Sequence, residues 1–209
     1  LAALLSATTS LGEESDVLKL PVETYRLANG LKVALSHEPG APRTTVCVVY
    51  HVGSKNERSG LTGFAHFFEH MMFRGTQHVP NFDVPLQAAG GSPNAFTSED
   101  VTAYFETIPN NYLERALYME ADRMAFLSTA LDQEKFDTER EVVMNERRQR
   151  MENAPYGLAS ETVSAAVYAQ GHPYSWSVIG AMDDLNRATL EDLRRFFDVF
   201  YHPGNATWA

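Results

Sequence analysis

Seven histidines are spread over this chain of 209 residues, and two of them stand one helical turn apart in HFFEH, residues 66–70, with a glutamate directly before the second. At about 100° per residue, His66 and His70 project about 40° apart on a helix, and Glu69 falls in the same sector, so the three side chains share one face. Two imidazoles at i and i+4 can grip one metal ion. Zinc suits such a pair, because it takes neutral histidine nitrogens and a carboxylate oxygen in a tetrahedral shell with one position open. Water in that position has its pKa lowered to about 7. Glu69, on the same face without having to be a ligand, is then the natural acceptor of the water's proton.

A third protein ligand must come from elsewhere. The segment DQEKFDTEREVVMNERRQRMEN, residues 132–153, reads as a helix on which Glu139 and Glu146, seven residues apart, point the same way while Glu141 points elsewhere. Val142 and Val143 lie close by and draw these acids partly inside, where a carboxylate needs a partner that a metal and its histidines can supply. The competing reading is a helix with a solvated polar face. Phe67, Phe68, Met71 and Met72 surround the triplet and argue against it, since they set the histidines near a core. The remaining histidines, His37, His51, His78, His172 and His202, lack paired spacing and read as surface or loop residues.

The elements that must position these groups follow from periodicity and turn chemistry. Thr24 to Ser36 holds two strand-like runs around Asn29-Gly30, a hairpin signal. Thr44 to Val52 reads as a buried strand and residues 55–60 as a polar loop. Apolar residues at helical spacing place a helix from Thr62 to about Phe73, ended at Gly75. A second helix is expected from Asn81 to Ala89. Residues 94–107 read as two strands joined at Ser98-Glu99-Asp100, with Val101, Ala103 and Phe105 on one face of the second. Helices follow from after Pro109-Asn110 to about Phe126, from Asp132 to about Glu152, and from Pro155 to Tyr168. Asp132 and Glu134 suit the positive end of the second of these. GHPYSWSVIG, residues 171–180, reads as a loop, and Thr189 to about Phe200 as a last helix. The balance is α+β, and the sequence holds no dinucleotide GxGxxG, phosphate-binding GxxxxGK or GxSxG elbow.

Composition narrows the function classes. A net charge of −10 with no basic run excludes the clustered Lys and Arg of a nucleic-acid binder. No stretch approaches the roughly 20 apolar residues of a transmembrane segment. The single Cys47 cannot form an intrachain disulfide, and its setting in TTVCVVYHV reads as a buried small hydrophobe. Residues 1–19 begin with LAALLSATTSLGEES, a small and apolar run before an acidic spacer. This reads either as the remnant of a secretory signal or as a leader of no meaning.

HFFEH followed by EREVVMNE, with Glu146 lying 76 positions after His70, resembles the inverted zinc motif of the pitrilysin and insulinase family, which includes the mitochondrial processing peptidases. NGLKVAL, GGSPNAFTSEDVTAYFET, ALYMEADRM and YHPGNATWA are similar to that family's amino-terminal half, and GFAHFFEHMMFRGT is worded most like bacterial exported members. The resemblance implies an antiparallel-rich sheet covered by helices over residues 20–209, forming a zinc-binding peptidase domain. It implies that His66, His70 and Glu146 bind one Zn2+ per chain, that Glu69 is the general base, and that Glu139 orients a zinc-bound histidine. Asn94, Ala95, Phe96 and Thr97 would form an exposed edge strand to which substrate backbone adds.

The expected function is that of a zinc-dependent endopeptidase for peptides or unfolded polypeptides, periplasmic or secreted rather than mitochondrial. A non-catalytic partner subunit and a zinc hydrolase of a small molecule are the alternatives. The family builds a shell from two related halves, so a second homologous half or partner subunit is expected. The sequence stops at Thr207-Trp208-Ala209, at what reads as the start of a strand. A chain ending there is expected to be one piece of a longer protein, with its sheet left short and its edge open.

Overall fold

Along TTVCVVY the residues alternate in depth, with Val46, Val48 and Tyr50 buried and Thr45, Cys47 and Val49 more open. That period of two marks a strand covered on one face. The computed structural model of the chain describes residues 21–209, so the leader expected over residues 1–19 lies outside the described residues. Among the described residues six strands form one mixed sheet: β1 (Glu23–Arg26), β2 (Lys32–Leu35), β3 (Arg43–Tyr50), β4 (Ser92–Thr97), β5 (Thr102–Pro109) and β6 (Ala206–Trp208). Their spatial order is β1-β2-β6-β3-β5-β4, antiparallel throughout except for β2 against β6. The fold is α+β, as expected.

Seven α-helices occur among the described residues: α1 (Phe64–Met71), α2 (Asp83–Ala88), α3 (Leu113–Ala130), α4 (Gln133–Arg147), α5 (Ala159–Val167), α6 (Met182–Arg187) and α7 (Leu190–Phe200). The apolar stripe of α1 makes the core. Phe67 lies 5.1 Å from Phe136 of α4, and Phe68 lies 5.1 Å from Phe197 of α7 and 4.3 Å from Tyr201, ring centre to ring centre. Beneath them Val48, Tyr50 and Tyr104 face inward from β3 and β5. With one side of α1 committed to this packing, its opposite side must carry the polar residues.

Several elements differ from the expectation. Cys47 is half-buried, because it stands on the sheet face that the helices leave open. The hairpin forms, but Arg26 pairs with Lys32, so five residues make its loop where Asn29-Gly30 suggested two. The last strand is not at an edge. β6 enters the slot between β2 and β3 and is hydrogen-bonded on both sides, and among the described residues β1 and β4 are the outermost strands. As expected, Ala103 and Phe105 share one face of β5, and Tyr104 and Ile108 turn from the other face to the helices.

The long acidic helix is regular only to Arg147 and then widens into a π turn over Arg148–Glu152. α3 runs on to Ala130, and α5 starts four residues after Pro155. α6 has no counterpart in the sequence reading.

Candidate metal centre

Gly63 stands at the N-terminus of α1 with φ of 89°, and a Cβ there would come within 2.7 Å of the Ile179 carbonyl, so the position needs glycine. Glycine brings no capping side chain, and the free backbone N–H groups of the helix must be met from elsewhere. Glu57, buried beneath the turn, accepts from Gly63 N and Ala65 N, each at 2.8 Å. Burial pushes its carboxyl up to about 8 against the pull of those backbone bonds. Asp184 of α6 accepts from Thr62 N at 3.1 Å and from Thr62 Oγ1 at 2.7 Å. Two acids therefore fix where the helix starts, and with it the direction of its polar face.

On that face His66, Glu69 and His70 lie partly buried. α4 crosses close by and brings Glu146 to them. Glu146 Oε2 is 3.2 Å from His70 Nε2 and 3.6 Å from His66 Nε2. One ligand atom from each of the three residues lies within 4.8 Å of the others. Ligands about 2.0–2.1 Å from a tetrahedral zinc are separated by about 3.3 Å, so this spacing and donor set fit the ion. Burial holds the His66 imidazolium down to about 3, with His70 and Arg150 adding to the effect, so the ring is neutral near pH 7, as a ligand must be.

The acid at position 139 is buried, and its Oε2 lies 3.3 Å from His70 Nδ1, while Arg74 pairs with its other oxygen. A carboxylate on Nδ1 fixes the ring orientation and leaves Nε2 for a metal. Glu146 in turn pairs through Oε1 with Arg150 at 2.6 Å. Glu69 contacts neither histidine through an ion pair. Burial raises its carboxyl, opposed by a hydrogen bond from Thr97 and by His70.

The remaining candidates separate. Asn94 and Phe96 of β4 face away from the helices and are exposed, Ala95 packs on the core, and Thr97 reaches Glu69. Asn94 Oδ1 accepts from Ala95 N at 2.9 Å. His37, His51, His78, His172 and His202 are all exposed. Glu57, Arg74, Asp184 and the Thr97 contact escape a sequence reading because their partners lie on other elements with no fixed spacing.

A helix-borne pair of histidines and a carboxylate from a second helix, with Glu69 beside them on one side of a mixed sheet, make a donor set that could hold a metal ion. The chain belongs to the insulinase family, peptidase family M16, whose sequence model matches residues 32–180. It is 38% identical over 189 residues to the zinc protease PqqE of Helicobacter pylori, which covers 88% of this chain and 41% of that protein. The crystal structure of a protease from Helicobacter pylori superposes with a TM-score of 0.84 at 37% identity, over 90% of this chain and 45% of that one. The first half of the periplasmic protease PqqL from Escherichia coli gives 0.77 at 27% identity, over 90% of this chain and 41% of that one. The chain thus spans less than half the length of these relatives.

Proposed function

We propose that this chain is the zinc-binding part of an endopeptidase that hydrolyses peptides or unfolded polypeptides. One zinc ion per chain is held by His66, His70 and Glu146, and Glu69 is the general base. The observation that carries this reading is the meeting of both imidazole Nε2 atoms with one oxygen of Glu146, while Glu69 stays outside the ligand set on the same helical face. The relative's name, zinc protease, supports it.

Zinc in this site supplies Lewis acidity toward a substrate carbonyl and toward water. Glu69 takes the proton from the attacking water and hands it to the leaving amine. The burial that raises its carboxyl makes the ionised form a stronger base than an exposed glutamate. Glu139 holds the His70 ring so that Nε2 faces the ligand set. The edge of β4, outermost among the described residues and carrying Asn94, Ala95, Phe96 and Thr97, receives substrate backbone as an added strand, a mode that gives affinity with little demand on sequence.

A second homologous half or partner subunit completes the active site, in keeping with the chain's share of its relatives' length. The periplasm or the exterior is the compartment this reading favours, supported by the periplasmic relative. No helix among the described residues is long and apolar enough to cross a membrane.

The test is Glu69→Gln in the intact protein. It is expected to retain zinc and to lose about 10²- to 10⁴-fold in peptide cleavage. Cleavage at the parental rate would remove Glu69 from its role.

A further inference from the structure

Thr97 closes β4, where it pairs with Thr102 across the last rung of the ladder with β5. The alternation of the strand turns its side chain toward the helices, and its Oγ1 donates to Glu69 Oε2 at 2.5 Å. The two residues are 28 positions apart, and this hydrogen bond is the specific polar link between the edge strand and the glutamate of α1. From this geometry we infer that Thr97 is a positioning residue for Glu69: its hydroxyl fixes the carboxylate for proton transfer and couples the base to the strand that receives substrate. The inference rests on the reading of Glu69 as the base.

The strand end is itself firmly placed, which a positioning role requires. The carbonyls of Ser98 and Glu99 accept from Ser54 N at 3.1 Å and Lys55 N at 3.0 Å. Gly53 passes so close that a Cβ on it would lie 2.3 Å from the Ser98 carbonyl. Beyond the turn, Asp100 pairs with Lys55 and accepts from the Tyr174 hydroxyl at 2.7 Å. The Trp176 indole donates to Ser54 O at 3.0 Å. The hydroxyl of Thr97 is thus presented from a braced turn rather than from a mobile strand end.

Its bond also fixes which oxygen of Glu69 is occupied. Oε2 is taken by Thr97, and Oε1 is the oxygen left to receive a proton. Without the hydroxyl the carboxylate is free to rotate away from the productive orientation, a loss that falls on the chemical step and not on substrate affinity.

The experiment compares Thr97→Val, which keeps the shape but not the hydroxyl, with Thr97→Ser, which keeps the hydroxyl, in the intact protein loaded with zinc. Thr97→Val is expected to lower kcat by about ten- to a hundredfold with KM within about twofold, and Thr97→Ser to stay within about threefold of the parent in kcat. Zinc affinity, read by chelator competition, and the thermal midpoint of both variants should match the parent. Thr97→Val added to Glu69→Gln should cost nothing further, because the hydroxyl acts through the glutamate.

A Thr97→Val variant with parental kcat, or one that changes only KM, would overturn the inference and return Thr97 to the substrate-binding strand. So would a loss of zinc affinity or of thermal stability that accounts for the lost rate. These outcomes differ from failure of the underlying reading, which would appear as full activity in Glu69→Gln.

Discussion

Glu146 meets both histidines through Oε2, while Arg150 occupies its other oxygen at 2.6 Å. Replacing it by glutamine keeps the shape and removes the charge that a cation needs. Glu146→Gln is therefore expected to weaken zinc binding by more than about a hundredfold in chelator competition, beyond the range typical of residues that only support ligands. An unchanged affinity would exclude Glu146 as a ligand. Glu106, buried on β5, offers a separate test away from the metal. Desolvation and the neighbouring Glu120 push its carboxyl up to about 9, despite Arg123. The folded protein then keeps a proton that the unfolded chain releases above its ordinary value near 4.5, so stability falls as pH rises from about 4.5 to about 9. Glu106→Gln should flatten that part of the profile of denaturation midpoint against pH, and a profile as steep as the parent's would contradict the assignment. The polar triplet of α1 was legible at this scale because helical geometry sets His66, Glu69 and His70 on one face within five residues. The bond from Thr97 to Glu69 and that from Thr62 to Asp184 were not, since they span 28 and 122 positions and depend on how the sheet and helices dock.

α1 does two jobs with one set of turns, burying Phe64, Phe67, Phe68 and Met71 on one side and presenting the polar triplet on the other. Phe68 is fully buried against Phe197 and Tyr201. Phe68→Ala should destabilise the protein by about 3–5 kcal/mol in urea titration. A loss below about 1 kcal/mol would mean that α1 is not packed as described. The sequence announces α1, α4 and α7 because their periodicity is long enough to register, and for α4 and α7 a capping side chain marks the start. Asp132 accepts from Lys135 N and Thr189 from Asp192 N. α6 is six residues long and lacks a closing glycine pair such as Gly90-Gly91 after α2, and its role in capping α1 through Asp184 became visible only in three dimensions. The π turn after Arg147 likewise leaves no mark in a run of charged residues.

Over the described residues, the sheet supplies a frame on which two helices from distant parts of the chain bring His66, His70 and Glu146 together. The α+β class was legible from the mixture of periods. The strand order was not, because nothing in ATW marks β6 as an inner strand between β2 and β3. The proposed ligand set, drawn from α1 and α4, would make metal binding a tie between those helices, so zinc should stabilise the folded state. At about a hundred times its Kd the expected gain is about 2.7 kcal/mol, absent in Glu146→Gln, read as a zinc-dependent shift in thermal midpoint. Equal shifts in both proteins would place the zinc elsewhere. The most direct measurement of the central claim is cleavage of a flexible quenched peptide by the intact protein, before chelation, after chelation, and after zinc is added back. The account predicts activity that disappears with the metal and returns with zinc. Cleavage that survives complete removal of metal would contradict it.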